Sequence, residues 1–201
     1  MNPYPITEHF PSLQGEGVNA GKPAYFLRLG GCNVRCAFCD SKKSWDEHSG
    51  KSVSALEMVE WVKTSGLENV VITGGEPLLH NLDELCKVLR QQIPNVSLCL
   101  ETSGTATFSG DFDWVCLSPK EHCLPLTENY LKADELKVVI AHPDAFAFAE
   151  TQARQVNLNC KLFLQAEWSI QKSITEPIIN YILKYPKWRL SVQLHKFLGI
   201  L

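Results

Sequence analysis

A succession of short apolar runs, separated by stretches of helical periodicity, constrains this chain more than any other feature of its sequence. Residues 24–29 (AYFLRL), 69–73 (NVVIT), 96–101 (VSLCLE), 113–117 (DWVCL), 135–140 (ELKVVI), 161–165 (KLFLQ) and 189–194 (RLSVQL) read as strands. They are short, rich in β-branched and large apolar residues, and bounded by turn formers. Between them lie helical segments. In SALEMVEWVKTSG, Ser54 and Glu57 form a capping-box pair, Ala55, Met58, Val59 and Val62 an apolar stripe, and Gly66 the stop. Residues 81–93, 142–154 and 176–185 are the others, the second opening with Pro143. Segments 104–113 and 120–134 read as irregular.

Strands and helices alternating at this spacing predict a parallel α/β sheet. A chain of 201 residues falls short of the roughly 250 of an eight-fold barrel. The expected fold is therefore an open, partial TIM-like barrel of about six parallel strands with a reduced set of helices. A doubly wound sheet is the competitor. One domain is expected over residues 1–201.

Most runs end in a polar or glycine-rich cluster: GGCN after Leu29, GGEP after Thr73, TSG after Glu101, SPK after Leu117, AEW after Gln165 and LHK after Gln193. Open α/β sheets and barrels bind ligands at the carboxyl ends of their strands, so these clusters should converge on one site. In RLSVQLHK, alternation would put Ser191, Gln193 and His195 on one face.

Composition narrows the function classes. A net charge of −3 argues against nucleic acid as a partner, and no apolar run approaches the roughly 18 residues that span a bilayer. The first residues lack a secretory pattern, which points to a cytoplasmic protein with reduced thiols. Five of its 8 cysteines (Cys86, Cys99, Cys116, Cys123, Cys160) sit mostly in apolar segments and read as small buried hydrophobes.

The other three form C-x3-C-x2-C in CNVRCAFCD: Cys32, Cys36 and Cys39. Thiolates at this spacing can wrap one metal centre. Zinc would need a fourth ligand, for which Asp40, His48 or a distant histidine are available, but there is no second C-x2-C pair. A [4Fe–4S] cluster on three cysteines instead leaves one iron open.

The motif resembles that of the radical S-adenosylmethionine superfamily, in which the amino and carboxylate groups of S-adenosylmethionine chelate the open iron. Electron transfer from the cluster then yields methionine and a 5′-deoxyadenosyl radical. Phe38 matches the aromatic residue before the last cysteine, and TGGEP (Thr73–Pro77) the glycine-rich motif after the second strand. With FPSLQGEG, FLRLGGCN, ETSGT, SPK, ELKVV, FLQ and QLHKFLGI, the chain resembles the 7-carboxy-7-deazaguanine synthase family over nearly its whole length.

The resemblance implies a fold, a reaction and a site. The family converts 6-carboxy-5,6,7,8-tetrahydropterin into 7-carboxy-7-deazaguanine with loss of ammonia, using S-adenosylmethionine as a recycled cofactor and Mg²⁺. It assigns Leu13, Gln14 and Gly15 to the pterin; Glu16 is close enough in sequence to join them, and Thr73, His195 and the terminal Leu201 would also reach the substrate. Arg28 would take the substrate carboxylate, a task suited to its bidentate fork. S-adenosylmethionine would be held by Phe38, Cys39, Asp40, Gly75, Glu76, Ser118, Pro119, Lys120 and Gln165, and Lys196 could approach a carboxylate. Many relatives place a Mg²⁺-binding threonine where this chain has Ser41, and proline where it has Ala166. The family also implies a homodimer and an electron donor such as flavodoxin or ferredoxin. The rivals are a glycyl-radical activating enzyme and a non-enzymatic zinc-binding module.

Overall fold

The structure, a computed structural model, describes residues 3–201. The chain opens with β1 (Tyr4–Leu13) and β2 (Pro23–Leu29), an antiparallel pair with a bulge between Ile6 and Glu8. Strand β3 (Lys51–Val53) follows, then helix α1 (Ala55–Ser65) and β4 (Asn69–Gly74). Next come α2 (Asp83–Gln92), β5 (Ser97–Thr102), β6 (Trp114–Leu117), the single turn α3 (Thr127–Tyr130) and β7 (Glu135–Ile140). Helix α4 (Ala145–Ala153), β8 (Lys161–Ala166), α5 (Gln171–Lys184), β9 (Trp188–Ser191) and α6 (Leu194–Leu198) complete it.

All the strands of the described residues join one 9-stranded sheet of order β3-β1-β2-β4-β5-β6-β7-β8-β9. Every pairing from β2 to β9 is parallel, while β1 and β3 add an antiparallel edge. The result is the expected open, partial barrel, with seven parallel strands where about six were expected and the antiparallel edge as an addition. Sequence reading missed β1 because its burial alternates only at the start and then stays half-exposed, so YPITEHFPSL carries little period-2 signal.

Local chemistry explains the best-defined elements. Ser54 Oγ accepts from Glu57 N–H at the start of α1, and Gly66 closes it at φ 69°, a left-handed conformation that glycine adopts without Cβ strain. Helix α4 begins at Ala145, leaving Pro143 in the preceding turn rather than at a helix start. Helix α5 begins five residues before the expected Glu176 and carries Pro177 inside it.

Strand parity then sorts the side chains. Leu27, Leu29, Val70, Ile72, Leu98 and Leu100 point outward and are buried, packing with Met58, Val62, Leu85 and Leu89 of α1 and α2. Leu136, Val138, Ile140 and Leu164 form a second core with Ala149 of α4 and Ile174 and Ile178 of α5. On the inner face a small apolar floor of Ala24, Phe26 and Val71 remains. Above that floor the inward positions turn polar.

Leu27 is fully buried at the centre of the first core. Leu27→Ala removes an isopropyl group from this packed core and leaves a cavity, so it should cost about 2–5 kcal/mol. Urea unfolding measures this.

Candidate functional site

Every parallel strand but the last sends one polar or thiol side chain from its inner face into a single cavity: Arg28 (β2), Thr73 (β4), Glu101 (β5), Cys116 (β6), Lys137 (β7) and Gln165 (β8). The cavity has a volume of about 270 Å³ and lies at the carboxyl ends of the strands. Around its mouth stand Leu13, Gln14, Gly15 and Glu16, which follow β1, and Cys32, Phe38, Asp40 and Ser41, which follow β2. Gly75, Ser118, Lys120, His195, Lys196 and Leu201 complete the expected residues that line it.

Two expected residues lie elsewhere. Glu76 is fully buried. Its carboxylate accepts from Leu78 N–H (3.0 Å), Thr102 Oγ1 (2.5 Å), Ser103 N–H (2.8 Å) and the Ser103 hydroxyl. With its acceptor sites filled, Glu76 locks the glycine loop instead of facing the cavity. Pro119 is buried and also outside the lining. The strand expected over 189–194 ends at Ser191, so His195 reaches the cavity from α6, not by strand alternation. Its ring stands where a Cβ on Gly15 would be, and Leu194 N–H donates to Gly15 O at 2.9 Å.

Glu101 and Lys137 escaped sequence reading, and they hold the centre of the site. Lys137 is almost fully buried and pairs with Glu16 and, at 3.5 Å, with Glu101 Oε2. Glu16 Oε1 also accepts from Gln165 Nε2 (3.1 Å) and Gln193 Nε2 (3.0 Å). Gln14 Nε2 donates to Glu101 Oε1 at 2.7 Å, and Gln14 Oε1 accepts from Glu16 N–H at 3.1 Å. Burial opposes charge on Glu16, but Lys137 and the amide of Gln193 hold its carboxyl below the ordinary value. Burial likewise opposes charge on Lys137, yet the carboxylates of Glu101 and Glu16 keep its ammonium well above its usual value. The available signal was parity: an unpaired charge at the inward position of ELKVVI and of VSLCLE is costly unless the fold supplies a partner.

The scattered cysteines divide. Cys86, Cys116 and Cys160 are buried, while Cys99 and Cys123 are only partly so. Burial pushes Cys86 and Cys99 up to about 11 and Cys160 up to about 12. Cys116 is the exception to a purely structural role, since it lines the cavity and its thiol donates to the buried Glu135 at 3.5 Å.

Cys32, Cys36 and Cys39 are free thiols, all partly exposed to the same cavity. Cys39 N–H donates to Cys36 O at 3.1 Å, a turn that brings the last two together. Arg35, at φ 51°, points its backbone N–H at Cys32 Sγ, 3.5 Å away. Among the described residues no three His, Cys, Asp or Glu converge tightly enough for a single metal ion. A [4Fe–4S] cluster takes one thiolate per iron, so its ligands stand farther apart than those around one ion. The all-thiol donor set, the amide aimed at sulfur and the adjoining cavity fit such a cluster. Gly75 is required beside it: a Cβ there would fall 2.3 Å from Gly31 O, 2.5 Å from Ser44 O and 2.7 Å from Cys32 Cβ.

A partial α/β barrel with three thiols after its first parallel strand defines the radical S-adenosylmethionine class, and residues 27–117 match the Radical SAM superfamily model. That membership implies a [4Fe–4S] cluster and S-adenosylmethionine. The chain is 47% identical over 197 residues to the 7-carboxy-7-deazaguanine synthase of Synechocystis sp., covering 98% of this chain and 93% of the relative. It is 44% identical to that of Flavobacterium psychrophilum, covering 98% and 92%. The crystal structure of QueE from Escherichia coli superposes with a TM-score of 0.83 at 32% identity, covering 96% of this chain and 94% of that one. The chain belongs to the 7-carboxy-7-deazaguanine synthase family.

Lys137→Met leaves Glu16 and Glu101 without their cation, and should cost about 3–5 kcal/mol at neutral pH. Glu16, with its lowered folded value, stabilises fully above the ordinary carboxylate range, and this is lost as pH falls through the folded value. Lys137, with its raised value, stabilises at all pH below the ordinary ammonium range. The gap between parent and variant should thus stay level around neutrality and narrow in acid, as unfolding curves across pH will measure.

Proposed function

We propose that this chain is a 7-carboxy-7-deazaguanine synthase, converting 6-carboxy-5,6,7,8-tetrahydropterin into 7-carboxy-7-deazaguanine with release of ammonia in 7-deazapurine and queuosine biosynthesis. The observation that carries the reading is one cavity in which three thiols meet Arg28, Gln14, Glu101 and Lys137. Cys32, Cys36 and Cys39 would hold the [4Fe–4S] cluster, which together with S-adenosylmethionine would supply radical chemistry beside the cavity.

The protein's own share is positioning and exclusion of water. Arg28 Nε donates to Glu8 at 2.9 Å, which leaves the terminal guanidinium nitrogens to fork onto the substrate carboxylate. Glu16 and Glu101 accept from the amino and amide edge of the pterin, and backbone groups of Leu13 and Gly15 complete that edge. Gln14 arrives already oriented, because its amide is held at both ends. Thr73, His195 and the carboxyl end of Leu201 border the same ligand; Leu201 O accepts from Ser12 Oγ at 2.5 Å.

Phe38, Cys39, Asp40, Ser118, Lys120 and Gln165 flank the adenosine, with Pro119 shaping the segment from behind the lining, and Gly75 admits the methionyl group. Glu76 supports the latter indirectly: its N–H donates to Gly31 O at 2.8 Å, and its carboxylate fixes the loop. Lys196 pairs with Asp40 at 2.9 Å and so ties α6 across the mouth.

Ser41 is the Mg²⁺ contact in this proposal. A hard cation wants about six oxygens, so substrate and water complete the shell around one hydroxyl. The whole chain acts as one catalytic domain, in a cytoplasmic homodimer reduced by a flavodoxin or ferredoxin. No helix of the described residues is long and apolar enough to cross a membrane.

Anaerobic incubation of the reduced protein with S-adenosylmethionine, Mg²⁺ and the carboxypterin should give the deazaguanine product with no net consumption of S-adenosylmethionine. Cys32→Ala should abolish product, and Cys160→Ala should leave the chemistry largely intact. Net loss of S-adenosylmethionine without product would count against the reading. Calorimetry should detect Mg²⁺ binding only when substrate is present, and Ser41→Ala should raise the Mg²⁺ concentration needed for turnover.

A further inference from the structure

The backbone of the cysteine loop is gripped from outside at one peptide unit. The Val34–Arg35 peptide gives its N–H to Cys32 Sγ at 3.5 Å. The carbonyl of that same unit, Val34 O, lies 2.8 Å from His122 Nε2. A carbonyl can only accept, so Nε2 carries the hydrogen. Arg35 sits at φ 51°, a conformation that a residue with a Cβ keeps only where its surroundings over-determine it.

His122 is well placed to supply that constraint. It lies in a tight turn in which Cys123 N–H donates to Lys120 O at 3.1 Å. The preceding Glu121 contacts His142 Nε2 at 3.1 Å, which fastens the turn to the segment after β7. Lys120 Nζ donates to Ser118 Oγ at 2.7 Å, so the turn continues directly from the SPK motif. The same few residues thus link the SPK segment to the span between the first two cysteines.

We propose that His122 is a positioning residue for the iron–sulfur cluster: by holding Val34 O it turns the Val34–Arg35 peptide so that the amide N–H points at the Cys32 ligand sulfur. The hydrogen bond on the carbonyl also polarises the N–H at the other end of the peptide, because linked hydrogen bonds reinforce one another. Hydrogen bonds to cluster sulfurs raise the reduction potential by stabilising the more negative reduced state. The proposal rests on the reading of Cys32, Cys36 and Cys39 as cluster ligands.

The test compares the parent, His122→Ala and His122→Gln as anaerobically reconstituted holoproteins. Gln can donate from its side-chain amide to the same carbonyl; Ala cannot. Three quantities are measured: iron and sulfide per chain, the rate of iron release to a chelator, and the cluster's midpoint potential by EPR-monitored titration without S-adenosylmethionine. Thermal unfolding of the apoproteins reports on the fold separately. The expected result for His122→Ala is a more negative potential and several-fold faster iron release with an unchanged apoprotein melting temperature, both corrected in His122→Gln. An unchanged potential and release rate in His122→Ala would overturn the proposal. So would equal loss in both variants accompanied by a lower apoprotein melting temperature, which marks a purely structural histidine. A parent chain that takes up no iron would instead refute the cluster reading itself.

Discussion

One buried ammonium organises this molecule. Lys137 enters the barrel from β7, too deep to be hydrated, and an unpaired charge there would cost several kcal/mol. The fold answers with Glu16 from the loop after β1 and Glu101 from β5. Each of those carboxylates then recruits amides: Gln165 from β8 and Gln193 from the approach to α6 on Glu16, and Gln14 on Glu101. Ser191 extends the network, donating to Gln165 Oε1 at 2.7 Å and accepting from Gly17 N–H at 3.1 Å. Segments from both ends of the chain are thereby bound to the middle of the sheet. Fully satisfied polar networks of this kind fix a single geometry, which a reaction governed by positioning requires.

The cysteine loop follows a complementary logic, in which small size and backbone direction count for more than charge. Gly75 lets two loops touch, and the pairing of its N–H with Leu29 O (2.9 Å) and of Glu76 N–H with Gly31 O (2.8 Å) extends the sheet into them. The bond from Cys32 N–H to Trp45 O (3.1 Å) anchors the first thiol. What the loop needs from elsewhere comes as single hydrogen bonds from distant segments, such as Thr105 Oγ1 to Asn33 Oδ1 at 3.0 Å. The three thiols stay open to the cavity that a cofactor would enter, with the Arg35 amide aimed at Cys32.

Much of this was legible in the sequence, for identifiable reasons. The parallel strands announce themselves because both faces near their centres are apolar, and the polar clusters after them mark the site because α/β sheets place ligands there. The cap at Ser54, which accepts from Glu57 N–H, and the stop at Gly66 appear as read. What stayed hidden depends on partners distant in sequence. Lys137 and Glu101 look anomalous inside strands until Glu16 and Gln14 are folded against them. Glu76 looks like a ligand contact until Thr102 and Ser103 close over its carboxylate. His195 fits a strand pattern until the strand stops at Ser191 and a helical turn carries it onward. Strand β1 lacks period-2 burial because its second half serves as a ledge at the cavity rather than as core, with Phe10 and Leu13 on the lining.

The central claim is that three thiolates hold a [4Fe–4S] cluster whose fourth iron is left for S-adenosylmethionine. ⁵⁷Fe Mössbauer spectroscopy of the reconstituted protein tests this most directly, because it resolves individual iron sites. The account predicts that adding S-adenosylmethionine shifts one iron of the four to a spectrum of higher coordination while the other three stay tetrahedral. Four equivalent irons that ignore S-adenosylmethionine, or a protein that holds zinc and no iron, would contradict it.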